Sequence, residues 1–187
     1  MDVIRCYRAS WFAAAIFLGF TVVGCSKPDT PIPLKNGSFE QWFKGPQQDP
    51  DGWTRFAGIG IVQRSDSEKH GGQYALRLTR KDANVNLFQA LHPPRQAENP
   101  ISCFAWAYVL EPTSVRLDVG DDSSMDYSEW HNGGNAWEQL VVVHNQNANA
   151  KNLRVLLDVS REANSTAPLT ELSAIFDEVT CVVLGDR

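Results

Sequence analysis

From Asn36 onward the chain alternates short apolar runs with clusters of turn-forming residues. The runs are GIGIVQRS (58–65), YALRLTR (74–80), NVNLFQAL (84–91), ISCFAWAYVL (101–110), SVRLDVG (114–120), EQLVVVH (138–144), NLRVLLDVS (152–160) and AIFDEVTCVVL (174–184). Each is rich in β-branched or aromatic residues, and many alternate apolar with polar, the period of a strand with one face buried. KHGG, HPPRQAENP, EPT, HNGGNA and NQNANAKN separate the runs and are breaker clusters. No window carries a sustained helical stripe. The pattern predicts an all-β fold, an antiparallel β-sandwich or jelly roll.

The alternation also assigns faces, because successive side chains on a strand point to opposite sides. Leu117 and Val119 oppose Arg116 and Asp118. Leu153, Val155, Leu157 and Val159 oppose Arg154, Leu156 and Asp158. Leu76 and Leu78 oppose Arg77 and Thr79. The run at 101–110 is apolar on both sides: Ile101, Cys103, Ala105, Ala107 and Val109 on one, Phe104, Trp106, Tyr108 and Leu110 on the other. It is either a central strand buried on both faces, or a strand whose small face meets the core and whose aromatic face lines a cleft.

The first 24 residues do not belong to this pattern. Arg5 and Arg8 precede WFAAAIFLGFTVV, an apolar stretch too short for a comfortable membrane span, which reads as a secretory signal over 1–24. It closes in VVGC (22–25), which resembles the bacterial lipobox. In such signals the cysteine, here Cys25, receives a diacylglyceryl group and becomes the new N-terminus. The alternatives are an ordinary signal with a chance cysteine and an uncleaved anchor. Ser26 after the cysteine resembles lipoproteins sent to the outer membrane, so the expected location is that membrane, held by palmitate-type acylation. Two acyl chains make a stable anchor. Residues 25–35, with the proline-spaced SKPDTPIPLK, then read as a semi-extended tether, and 36–187 as one β-sandwich domain.

The chain has 187 residues and a net charge of −5, with no basic run or basic-aromatic stripe. Nucleic acid is therefore a poor partner. His70, His92, His131 and His144 show no metal-binding spacing. No G-x-S-x-G motif or phosphate loop occurs, and the adjacent Asp121 and Asp122 sit in a polar turn rather than across a cleft. An enzyme is not expected. His131 is expected to be a loop hydrogen-bonder, and Trp137, directly before a strand, a core residue.

Several pieces occur in an order that resembles the carbohydrate-binding modules of the galactose-binding-like jelly-roll superfamily. NGSFEQW (36–42) resembles that family's opening strand and PDGW (50–53) its next landmark. KHGGQYALRLT, NLFQAL, SCFAWAYV, WEQLVVV and IFDEV resemble later ones. The resemblance covers 36–184, and no single piece is specific. It implies a structural calcium ion held by Glu40 and Asp177, with carbonyls from the turn near His70 and Gly72, hard oxygen donors of the kind calcium takes. The alternative is that the two carboxylates are solvated or paired with lysine. It also implies non-catalytic binding of a polysaccharide or glycan. The candidate residues are Trp106, Tyr108, Arg77, Gln89, Arg116, Asp118 and Arg154 on a concave face, with Tyr127 and Trp130 at its rim. Aromatic rings stack on the apolar face of a sugar while polar groups bond its hydroxyls. The alternative role is a structural or protein-interaction subunit of an envelope complex. Cys103 and Cys181 both fall on core-facing positions, and the family's last strand lies in the same sandwich. A disulfide between them is expected, with two buried free thiols as the competing reading.

Overall fold

The computed structural model describes residues 27–57, 60–81, 84–92, 99–112, 114–160 and 171–185. The leader 1–24 and Cys25 lie outside the described residues. The strands are β1 (Thr30–Ile32), β2 (Thr54–Ala57), β3 (Ile61–Ser65), β4 (Ala75–Arg80), β5 (Val85–Leu91), β6 (Ile101–Val109), β7 (Val115–Asp121), β8 (Met125–Tyr127), β9 (Ala136–His144), β10 (Leu153–Val159) and β11 (Leu172–Val183). Each of the eight predicted runs holds a strand among the described residues. β1, β2 and β8 are not among them, because three or four residues are too few to show an alternation.

The strands form an antiparallel β-sandwich. The first sheet has the order β3-β4-β11-β6-β9, with β1 also paired to β11; the second has the order β2-β5-β10-β7-β8. The core lies between them, filled from one side by Leu76, Leu78, Cys103, Ala105, Ala107 and Phe176 and from the other by Val85, Leu87, Leu117, Val119, Leu153 and Leu157. The face assignments read from the alternation hold. Alanines and a cysteine along β6 leave room for larger side chains from the opposite sheet, as dense packing requires.

β11 organises the first sheet. One side of it pairs with β6 from Ile175 to Val183, with a break after Asp177, while the other pairs first with β4 and then with β1. Between those partners the ladder breaks in a bulge at Glu178, whose φ is 49°. A left-handed conformation in a side chain of this size is costly, and bulges re-aim side chains. Here the bulge lets the Val179 N–H donate to the Gly37 carbonyl at 2.9 Å and turns Glu178 toward the loop that precedes β4.

Two expectations require correction. The stretch NGSFEQW is a turn, not an opening strand. Asn36 and Phe39 have φ of 53° and 54°, and the Asn36 side chain brackets Gln41 with two backbone hydrogen bonds of 2.9 Å. The turn drives Phe39 and Trp42 into the core, where Phe39 meets Trp53 at 5.3 Å between ring centroids and the Trp53 indole donates to the Asn36 carbonyl. Second, the folded domain does not begin at Asn36. Thr30–Ile32 is already a strand, Ile32 is buried, and Pro31 occupies an exposed edge position, where its missing N–H costs no ladder bond. Of the expected 25–35 tether, Thr30–Ile32 is thus part of the sandwich.

Cys103 and Cys181 are bonded, with Cα atoms 4.1 Å apart. They are direct register partners on neighbouring strands β6 and β11. The competing reading of two free thiols falls.

Candidate functional site

The polar positions of β7 and β10 meet on the outer face of the second sheet. Register places Arg116 opposite Asp158 and Asp118 opposite Leu156, so one guanidinium faces two carboxylates. Arg116 Nε lies 3.0 Å from Asp118 Oδ1 and donates to Asp158 Oδ2 at 3.3 Å. Ser160 Oγ also donates to Asp158 Oδ2, at 2.7 Å. Both acids are almost wholly buried, Asp118 at 4% exposure and Asp158 at 2%. Yet Asp118 Oδ1 and Asp158 Oδ1 accept no hydrogen bond, an uncommon condition for buried polar atoms.

The electrostatics follow from that burial. Loss of water raises the Asp118 carboxyl, and the neighbouring Asp158 raises it further; Arg116 opposes them, leaving it pushed up to about 7. Asp158 is raised by burial as well, against the Ser160 hydrogen bond and the Arg116 charge. Near neutral pH the Asp118 carboxyl is therefore poised between its acid and carboxylate forms.

Aromatic rings complete the face. The Arg116 guanidinium lies 4.1 Å from the centre of the Tyr127 ring and 4.8 Å from that of Trp130. Tyr127 comes from β8, which pairs with β7 opposite Asp118, and Trp130 from the loop that follows. Such stacking holds a cation over a ring face and leaves Tyr127 53% exposed. Across the sheet, Phe56 of β2 meets Phe88 of β5 edge-on at 5.7 Å, and Phe56 is 56% exposed. Arg154 lies between these ends on β10, beside Ala90 and Gly120.

The structure divides the predicted sugar-binding residues. Arg116, Asp118, Arg154, Tyr127 and Trp130 share this face. Gln89 does not: it points into the interior and holds the Lys35 backbone, accepting from its N–H and donating to its carbonyl, both at 2.7 Å. Trp106, Tyr108 and Arg77 lie on the outer face of the first sheet, across the core. There the His70 ring stacks on Trp106 at 4.0 Å, Tyr108 packs on Trp137 at 5.5 Å, and Arg77 is paired with Glu68 at 2.6 Å. Trp137 is a half-buried member of this outer cluster, not a core residue. Single-strand alternation says which residues share a side of one strand, but not which sides of different strands meet.

Asp158, Phe56 and Phe88 belong to the face and were not among the predicted site residues. The alternation had placed Asp158 beside Arg154, which was a usable signal. Phe56 carried none, since its strand is too short to read.

Glu40, Asp177, His70 and Gly72 are brought to one turn. Asp177 Oδ2 accepts the His70 and Gly71 N–H groups, each at 2.9 Å, and Oδ1 accepts that of Glu178. Glu40 Oε1 accepts from Gln73 and Tyr74. Gly72 has φ 61° and its Cα lies against the Glu40 carboxylate, so a side chain there would collide with it. The turn presents N–H groups, not carbonyls, to both acids, and these bonds anchor the loop. Among the described residues no group of three or more His, Cys, Asp or Glu is placed to hold a metal ion. His131 is the loop hydrogen-bonder expected: its Nε2 meets the Ala107 carbonyl at 3.1 Å, and Nδ1 accepts from the Gly133 N–H.

No protein-family model and no curated protein matches the chain. Solved structures do, at the level of fold. A family 61 carbohydrate-binding module, solved in complex with β-1,4-galactotriose, has 15% identity and a TM-score of 0.56, covering 80% of this chain and 97% of that one. The C-terminal family 22 carbohydrate-binding module of Clostridium thermocellum Xyn10B has 19% identity and a TM-score of 0.53, covering 83% and 99%. The enzymatically active domain of bacteriophage CBA120 tailspike protein 4 has 13% identity and a TM-score of 0.60, covering 82% of this chain but 21% of that one. The class these define is the antiparallel β-sandwich of carbohydrate-binding modules. This chain is similar to its members in architecture, and the same architecture occurs within at least one enzyme.

Proposed function

We propose that the outer face of the second sheet binds a polysaccharide or glycan without catalysing its cleavage. The observation that carries this reading is the Arg116 array: a guanidinium paired with Asp118 and Asp158 and stacked against the Tyr127 and Trp130 rings, of which Tyr127 is half exposed. Ring faces suit the apolar faces of sugars, and fixed polar groups suit hydroxyls. The fold neighbours support the class, and their ligands, β-1,4-galactotriose and xylan, form a first panel to try. A glycan array probed with the acyl-free chain tests the reading. Binding to one glycan class, abolished by Trp130→Ala together with Tyr127→Ala, is expected. No binding to any glycan, with co-purification of an envelope protein, would replace it by the protein-interaction role.

We further propose that Cys25 carries the lipid and that the protein resides at the outer membrane. The apolar leader closing in VVGC supports this. Labelling with a palmitate analogue should mark the wild type and not Cys25→Ala. Calcium at Glu40 and Asp177 is a subordinate proposal, supported by two acids flanking one glycine-containing turn. It would require the turn to rotate carbonyls toward acids that now receive N–H groups.

A further inference from the structure

The outer face of the first sheet has a second region, which begins beside Trp106 and runs toward the Val183 end of β11. Its register rows run Pro31, Val182, Ser102, Val143 and then Thr180, Phe104, Val141. Neither row holds a charged residue. Val141 and Val143 are each 48% exposed, although the outward positions of an edge strand that faces water are ordinarily polar. Beside them a groove of 640 Å³ passes over Phe104 and Trp106, walled by Ile32 and Leu34, with Glu178 as its one charged lining residue. Five apolar side chains from four strands thus form one patch, with Pro31, Val141 and Val143 exposed and Phe104 and Val182 half-buried.

The patch lies where the chain enters the fold. β1 contributes Pro31 to it, and β1 runs antiparallel to β11, so its first residue sits at the Val183 end of the sheet. The segment before β1 is also held. The Gly185 N–H donates to Asp29 Oδ1 at 2.9 Å, and the Lys27 carbonyl packs against Gly185. Cys25 is two residues before Lys27 and can stand at most about 7 Å from it in extended chain. A lipid there leaves almost no slack, and the headgroup zone alone is roughly 5–7 Å deep on each side of a bilayer.

We infer that this patch is a membrane-contact face, seated in the headgroup region of the bilayer that holds the lipid of Cys25. The inference rests on the lipidation reading above. Apolar area inserted at an interface adds to binding, and uncharged rows avoid the cost of bringing charge to the hydrocarbon boundary. The face opposite the patch is then the Arg116 face, directed away from the membrane. Contact on one side and ligand access on the other do not compete.

The test uses the full chain purified from membranes and reconstituted in phosphatidylethanolamine–phosphatidylglycerol vesicles. A spin label at Val143→Cys, with Ser102→Cys as a second position in the same row should the first fail to fold, is compared with one at Ser123→Cys on the other sheet. Intact mass reports whether Cys25 is acylated. With Cys25 acylated, the label at 143 or 102 should be several-fold more accessible to oxygen, relative to a water-soluble nickel chelate, than the label at 123. Equal accessibility with Cys25 acylated overturns the membrane face and leaves lipidation standing. Dipolar broadening between labels on different molecules overturns it in favour of a second copy on the patch. An unacylated Cys25 overturns both readings, and the mass distinguishes that case.

Discussion

On the outer face of the first sheet, aromatic residues are covered: Trp106 by the His70 ring, Tyr108 by Trp137. On the outer face of the second, Tyr127 and Trp130 instead flank a cation and stay accessible. The two faces are built from the same residue types, Trp, Tyr, Arg and Asp, and differ in what occupies the polar atoms. On the first, Asp177 is saturated by three backbone N–H groups and Arg77 by Glu68. On the second, two buried carboxylate oxygens have no hydrogen bond. Satisfied polar groups hold a loop in place. Those two oxygens are closed off from solvent, so what the second face presents to a ligand is the exposed Tyr127 ring with the Arg116 cation beside it.

The comparison breaks most severely at Arg116. Arg116→Ala removes the guanidinium that pairs with both buried acids, leaving Arg80 as the cation acting on Asp158, a loss of the order of 3–5 kcal/mol when one member of a buried pair is removed. Urea unfolding should show it, and glycan retention in affinity electrophoresis should vanish. Trp106→Ala on the other face should lower stability by about 2–3 kcal/mol through lost packing, with retention unchanged. Loss of retention in Trp106→Ala would reverse the assignment of faces.

The acid pair gives a pH signature. The folded Asp118 carboxyl is pushed up to about 7 from an ordinary 3.8, so between about pH 4 and pH 7 the folded protein binds more protons at this site than the unfolded chain. Its contribution to stability is therefore fully present below pH 4 and is lost as pH rises through 7. Melting temperatures recorded across that range should show a declining component that Asp118→Asn removes. A component of the opposite sign at this residue would contradict the burial argument.

Smaller effects sharpen the contrast. His70→Ala removes a ring stack and the hydrogen bond to Glu178, whose partners are half exposed, and should cost about 1–2 kcal/mol with no change in glycan retention. Excess chelator tests the calcium proposal: if an ion binds at Glu40 and Asp177, the melting temperature falls by mass action and Asp177→Ala no longer responds. An unchanged melting curve would leave the N–H groups as the only partners of these acids.

The strand pattern was legible because strand periodicity is local. Alternation in SVRLDVG and NLRVLLDVS determined that Arg116, Asp118 and Arg154 point away from the core, and the core-facing parity of Cys103 and Cys181 was readable in the same way. What no single strand could show was the pairing order. β11 lies between β4 and β6, and β10 between β5 and β7; that order sends Trp106, Tyr108 and Arg77 to one side of the molecule and Arg116, Asp118 and Trp130 to the other. Gln89 escaped for a related reason, since its alternation is that of an inward position and only the fold supplies the Lys35 backbone that satisfies it. The turn at Asn36, the bulge at Glu178 and the capture of Thr30–Ile32 by β11 all depend on hydrogen bonds between residues distant in the chain. The sequence by itself determined which side chains leave the core; the tertiary structure decided which of them meet, because contact across strands is set by register and sheet order.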